Sequence, residues 1–166
     1  MGREFRRGDV VGPYTIIGFI DGGGNADVYE AETHAGRVAL KVLRTRRGDS
    51  EPYRRFRQEV RKHHELSQRG TLGILPLLDC EVPDAPNQLR PAWMAMPVAE
   101  PIETALGHNP PLAIVVGALA SVASTLAQLH TEGVAHRDIK PTNLYRYDGA
   151  WVVRISASWT FPTETR

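Results

Sequence analysis

The chain has a single cysteine, Cys80, among its 166 residues, so no disulfide can close within it. That scarcity suits a reducing compartment, and a cytoplasmic location is expected. An excess of either charge is also missing: 20 Lys and Arg against 19 Asp and Glu leave a net charge of +1. Such a balance argues against a polyanion or a membrane surface as the main partner, so neither nucleic acid nor membrane binding is expected. The basic runs at 44–47 and 54–62 are local and are offset elsewhere. Met1-Gly2-Arg3-Glu4-Phe5-Arg6-Arg7 has no apolar core, and no signal peptide is expected. Gly2 stands where an acylated glycine would, but Arg6 replaces the Ser or Thr of such a site. No Gly-Lys-Ser or Gly-Lys-Thr triplet occurs, which excludes a Walker-type phosphate loop. Internal repeats are absent too. With 42% hydrophobic and 23% charged residues, the composition is that of a folded globular protein, either one domain or two small lobes.

What is present reads as strands, then helices. β-Branched and aromatic residues over 14–20 predict a strand that resumes over 28–32, after Asp21-Gly22-Gly23-Gly24-Asn25. Alone, that glycine cluster reads as a hairpin turn. Val38-Ala39-Leu40-Lys41 is a third strand, and alternation puts Ala39 and Lys41 on one face. Ser50 and Pro52 mark a helix start, with the helix itself over 53–67. Its apolar positions are few: Phe56, Val60 and Leu66. Glu59 is either a solvated partner of Arg55 or an inward-facing carboxylate beside Phe56 and Val60. Adjacent His63 and His64 point to different faces and make no metal pair. Residues 74–78 and 93–98 read as two further strands. The stretch 112–129 carries no charge and just reaches transmembrane length. Its Ala and Ser content, its Gly117, Thr125 and Gln128, and its lack of basic flanks read instead as the central helix of a lobe, apolar all round because the lobe surrounds it. Residues 144–147 and 150–155 flank Asp148-Gly149 as a hairpin with a type I′ turn.

Between that helix and that hairpin lies His136-Arg137-Asp138-Ile139-Lys140-Pro141-Thr142-Asn143. A carboxylate and an amide in one tight loop can divide a reaction between them. Asp138 can accept the proton of an incoming hydroxyl, Asn143 can offer an oxygen to magnesium, and Lys140 can meet a phosphate as a point charge. His-Arg-Asp with an Asn at this offset is the catalytic-loop pattern of protein kinases. From about Tyr14 to Ile155 the chain resembles a eukaryotic-type protein kinase, and the Lys140-Pro141 pair resembles its serine/threonine branch.

The resemblance implies an α+β, protein-kinase-like fold. An N-terminal extension (1–13) would precede an N-lobe of antiparallel sheet plus one helix (14–99). A partial helical C-lobe with the catalytic loop (100–155) and a polar tail (156–166) would follow. It implies ATP and Mg2+ as cofactors, a protein substrate or partner, and phosphoryl transfer to a Ser or Thr hydroxyl. Gly22, Gly23 and Gly24 become the loop whose N–H groups lie over the ATP phosphates. Val28 and Ala39 lie against the nucleotide, Lys41 holds phosphates, and Glu59 fixes Lys41 by an ion pair. Met96 takes the gatekeeper position, while Pro97 and Ala99 offer an acceptor and then a donor to the adenine edge. Asp138 and Lys140 act in catalysis and Asn143 binds magnesium.

The sequence also departs from the family pattern. Asp21 and Ala26 stand at two of the three loop-glycine positions. Ala157-Ser158-Trp159 stands where Asp-Phe-Gly should supply the main magnesium carboxylate. No activation segment or later C-lobe helices follow before Arg166, which would leave the uncharged helix open to a partner or to self-association. Three readings stand side by side: a serine/threonine kinase seen as an incomplete chain, an ATP-binding pseudokinase or scaffolding module, and a truncated product with little function of its own.

Overall fold

Apolar and β-branched residues at two-residue spacing build the first part of the chain into strands, and their pairing is antiparallel throughout. The computed structural model describes residues 4–156, divided between a unit of residues 4–64 and 76–98 and a unit of residues 65–75 and 99–156. In the first unit, β1 (Val10–Val11), β2 (Tyr14–Gly23), β3 (Ala26–Thr33), β4 (Gly36–Leu43), β5 (Asp79–Glu81) and β6 (Trp93–Pro97) form one sheet. Its order is β1-β2-β3-β4-β6-β5.

The register decides which residues share a face. Asp21 lies opposite Val28, Val28 opposite Lys41, and Lys41 opposite Met94, while Ala39 lies opposite Met96. Directly opposed residues project to the same side. Asp21, Val28, Ala39, Lys41 and Met96 therefore occupy one face. Tyr29, Ala31, Val38, Leu40, Val42 and Ala95 fill the core on the other.

α1 (Glu51–Gln68) begins where Ser50 Oγ accepts the Tyr53 N–H at 3.3 Å, an N-cap with Pro52 in the first turn. Tyr53, Phe56 and Val60 form its buried stripe and pack with Leu43, Ala92 and Met94. Burying each such side chain contributes roughly 2 kcal/mol, against a few tenths for the exposed Arg55–Glu51 pair on the outer face. The apolar stripe therefore sets the rotation of α1, and Glu59, 4% exposed, is carried inward with it.

Residues 74–78 are not the strand that their composition predicts. Pro76, which has no N–H, divides them between the two units. On one side Ile74 forms an isolated parallel bridge with Val153, and the Leu75 N–H donates to the Val153 carbonyl at 3.0 Å. On the other side the Leu78 N–H donates to the Ala95 carbonyl at 2.9 Å, and the strand proper starts at Asp79.

The second unit contains β7 (Glu100–Pro101), α2 (Ile102–Leu106), α3 (Leu112–Thr131), a 3-10 turn (Pro141–Asn143), β8 (Leu144–Tyr147) and β9 (Ala150–Val153). β7, β8 and β9 pair in that order. Asp148 (φ 49) and Gly149 (φ 77) make the β8–β9 turn with the two positive φ angles of a type I′ hairpin. α3 is long and apolar enough to cross a membrane, with a mean hydropathy of 2.0. Its buried residues, Ala118, Val122, Thr125 and Leu129, recur at helical spacing, and the apolar ones pack with Ile74, Ile102, Leu144 and Val153. The expected all-round cover is not found among the described residues. Leu112, Ile114, Val116 and Leu119 remain exposed, Leu112 by 77%, because the described elements of this unit reach only one side of the helix.

Gly73 lets α3 come this close. A Cβ there would stand 1.9 Å from Thr125 Oγ1, and its φ of 77 already disfavours a side chain. Gly73→Ala is expected to cost on the order of 3 kcal/mol of stability in denaturant melts, from strain plus overpacking. Gly70→Ala, also at positive φ but with open space around it, should cost about 1 kcal/mol. Equal losses would mean that the contact with Thr125 does not hold α3 in place.

Candidate functional site

In the first unit the site is built on β4 and α1. Lys41 Nζ donates to Glu59 Oε1 at 2.6 Å, and the two side chains are 16% and 3% exposed. Partial removal from water strengthens the attraction between them. The Phe56 ring lies alongside, its centroid 5.8 Å from Nζ. The alternative partner of Glu59 is engaged elsewhere, since Arg55 binds Glu51 at 2.5 Å. Val28, Ala39 and the buried Met96 share the face of Lys41, and Pro97 ends β6 opposite Val38. Ala99 follows in the second unit.

Gly22, Gly23 and Gly24 stand at the tip where β2 turns into β3. A Cβ on Gly22 would lie 2.7 Å from Asp27 Oδ1 and 2.8 Å from Phe19 Cζ, whereas Gly23 faces open space. Asp21 Oδ1 accepts the Gly22 N–H at 2.8 Å, so one loop amide already meets a carboxylate. Arg44 ties the tip down. Its Nη2 and Nε donate to the two oxygens of Asp27 at 2.5 and 3.1 Å, and its Nη1 donates to the Gly24 carbonyl at 2.9 Å. A bidentate guanidinium–carboxylate pair fixes direction as well as distance. Sequence reading misses Arg44 and Asp27. The available signal is diagonal pairing, since Asp27 lies opposite Val42, two residues before Arg44.

In the second unit the loop of residues 136–143 is held from within. His136 is buried, its Nδ1 accepts the Asp138 N–H at 3.1 Å, and its Nε2 lies 3.3 Å from the Arg154 carbonyl. An accepting Nδ1 leaves the proton on Nε2, which donates to that carbonyl. Burial lowers the His136 pKa below its ordinary value, although the Arg154 carbonyl and the Asp138 charge oppose the shift. Arg137 takes a positive φ of 56, a strained conformation for a residue with a side chain.

Asn143 is fully buried, and its Nδ2 donates to the Asp138 carbonyl at 2.8 Å and to Asp138 Oδ2 at 2.9 Å. Lys140 Nζ lies 3.1 Å from the same carboxylate oxygen. Burial pushes the Asp138 carboxyl up, but hydrogen bonds from Lys140 and Asn143 outweigh it, and the net pKa is below the ordinary carboxylate value. The loop thus brings Asp138, Lys140 and Asn143 together around one ionised carboxylate.

Magnesium does not fit this arrangement as it stands. Asn143 Oδ1, the only acceptor on that side chain, takes a hydrogen bond from Arg154 Nη2 at 2.7 Å. An ion about 2.1 Å from Oδ1 would stand within roughly 4 Å of that guanidinium. At an effective dielectric of about 20, the repulsion for a divalent charge is about 8 kcal/mol. No group of three or more His, Cys, Asp or Glu side chains among the described residues could hold a metal ion. Ala157, at the position of the expected metal carboxylate, lies outside the described residues. Arg154 carries no signal in a sequence reading, because a lone Arg after a strand looks like a solvated charge.

No protein-family model matches the chain. The chain is similar to the serine/threonine-protein kinase AfsK of Streptomyces coelicolor, with 33% identity over 136 residues. It is similar also to the DNA damage-responsive serine/threonine-protein kinase RqkA of Deinococcus radiodurans, with 34% identity over 142 residues. Both alignments cover 81% of this chain but 16% and 20% of those proteins, so the chain spans a fifth or less of these curated relatives. The crystal structure of the Mycobacterium tuberculosis PknI kinase domain matches with a TM-score of 0.65 and 21% identity, covering 92% of this chain and 61% of that one. That likeness gives the fold: a kinase-type antiparallel sheet with one helix, followed by part of the helical lobe.

The state of His136 has a pH consequence. Its folded pKa is depressed, so the unfolded chain binds a proton that the folded loop refuses. Its contribution to stability is full above the ordinary histidine value of 6.5 and is lost as the pH falls below it. Between about pH 7 and 5, the melting temperature of the natural chain should fall more steeply than that of His136→Gln, which cannot titrate. Parallel pH profiles would show that His136 is not held neutral.

Proposed function

Because the chain is serine/threonine-protein-kinase-like in sequence and carries the protein-kinase fold, we propose that it binds ATP and passes the γ-phosphoryl group to a Ser or Thr hydroxyl of another protein. The observation that carries this reading is Lys41 Nζ at 2.6 Å from Glu59. A lysine fixed by a buried carboxylate presents its charge to phosphate oxygens in one orientation. Val28, Ala39 and Met96, on the same face of the sheet, take the adenine. Pro97 and Ala99 supply its edge with an acceptor and a donor, and Gly22, Gly23 and Gly24 leave the backbone approachable by the phosphates.

Asp138, ionised at neutral pH, accepts the hydrogen bond of the incoming hydroxyl and then its proton. The hydroxyl oxygen bonds to the γ-phosphorus as the bond to the ADP oxygen breaks, and Lys140 meets the charge of the moving group. The cytoplasm, where ATP is abundant and Cys80 stays reduced, is the proposed location. A second reading, an ATP-binding pseudokinase, is favoured by Asn143 Oδ1 being committed to Arg154 at 2.7 Å.

A thermal-shift titration tests nucleotide binding. ATP at about a hundred times its dissociation constant adds about 2.7 kcal/mol, a rise of roughly 5–10 °C for a chain of this size. Lys41→Met should remove most of that rise, and an equal rise in the variant would refute the assignment. Phosphate transfer to a protein acceptor, lost in Asp138→Asn, would select the kinase over the pseudokinase. In the same melts, a midpoint that climbs with chain concentration would assign the open face of α3 to a second copy. A constant midpoint would exclude a second copy there over the concentrations tested.

A further inference from the structure

Arg154 follows β9 and touches the loop of residues 136–143 at three points, and it has no assigned role. Its carbonyl accepts from His136, its N–H donates to the Asn143 carbonyl at 2.9 Å, and its Nη2 holds Asn143 Oδ1 at 2.7 Å. Among the described residues it makes no ion pair, and its Nε is buried without a hydrogen-bond partner. Buried donors are nearly always satisfied, so the orphaned Nε is a cost of holding the guanidinium against Asn143, and without an ion pair its charge stays available to an incoming anion. The position of that cation matters too, because Asn143 Oδ1 is the atom that the resemblance assigns to a metal ion.

We propose that Arg154 is the resident cation beside this loop: its guanidinium, bonded to Asn143 Oδ1, repels by its charge the divalent ion which that atom would otherwise bind, and offers that charge to the phosphates of a nucleotide. Binding of ATP by this chain is then independent of divalent metal. The second half of the proposal rests on the ATP-binding reading given above, whereas the first half does not. Guanidinium suits the task because it stays protonated and presents several donors in one plane, matching phosphate oxygens without any ligand shell to assemble. It cannot bridge two phosphates as tightly as a divalent ion can, which fits a site that holds nucleotide more readily than it turns it over.

Two readouts on the full chain separate the halves. In the absence of nucleotide, Mn2+ should leave the side-chain NH2 resonances of Asn143 sharp in the natural chain. It should broaden them in Arg154→Glu, where a carboxylate replaces the cation beside Asn143 and Asp138. Mn2+ broadening in the natural chain would overturn the proposal, and that result needs no variant to fold. For nucleotide, the affinity of the natural chain for ATP should change by less than about twofold between excess Mg2+ and EDTA. Arg154→Glu should lose about tenfold or more in EDTA, and Arg154→Lys, which keeps the charge, should retain most of the affinity. A tenfold or larger gain with Mg2+ in the natural chain would contradict the metal-independent site. If the natural chain binds no ATP under either condition, the ATP-binding reading fails, while the Mn2+ result still decides whether Arg154 excludes a metal.

Discussion

The ion pair between Lys41 and Glu59 ties β4 to α1 in the first unit. A carboxylate that is 3% exposed, set beside Phe56 and Val60 on the buried stripe of α1, cannot be left alone. Removing one partner of such a pair leaves an uncompensated charge in a poorly solvated place. The pair therefore couples two choices that look separate in the chain, the rotation of α1 and the register of β4. A slip of one residue in β4 would turn Lys41 into the core face, against Tyr29 and Ala31 of β3, and would turn Leu40 and Val42 out of it in exchange. Hydrophobic burial sets which side of α1 faces inward, and Lys41 makes that side tolerable for Glu59.

The second unit solves a different problem, that of holding a short loop rigid without a core of its own. It does so with hydrogen bonds that use both side-chain donors of Asn143 and put a guanidinium on its oxygen. His136 reads the backbone of Asp138 on one nitrogen and the carbonyl of Arg154 on the other, and Asn143 grips Asp138 twice. The strain at Arg137, with its positive φ, is sustained by these neighbours. A network of this kind is informative because each member is over-determined. Displacing Arg154 would free the oxygen of Asn143, and displacing Asn143 would leave the carboxylate of Asp138 to Lys140 alone.

Much of this was legible in the sequence, for identifiable reasons. Long strands with clear alternation, such as β2 and β4, and a capped helix with an apolar stripe, such as α1, carry their signals locally. The Asp148-Gly149 turn announces its own backbone angles. β1 and β7, two residues each, are too short to carry a pattern, and α2 has only five residues. Residues 74–78 mislead because an apolar run says nothing about which unit it serves, and only the missing N–H of Pro76 marks the division. At the site, Lys41, Glu59, Asp138, Lys140 and Asn143 are readable because their spacing follows a known pattern. Arg44, Asp27 and Arg154 are not, because each acts through a partner distant in sequence and none is marked by composition.

If Lys41 and Glu59 act as one unit, a double-mutant cycle measures their coupling directly. Lys41→Met, Glu59→Gln and the double variant would be unfolded in denaturant beside the natural chain. Each single change is expected to cost about 3 kcal/mol, with the double costing less than their sum by 2 kcal/mol or more, on the order seen for buried pairs. Costs that add to within about 0.5 kcal/mol would mean that the two residues are independent and that their contact does not couple α1 to β4.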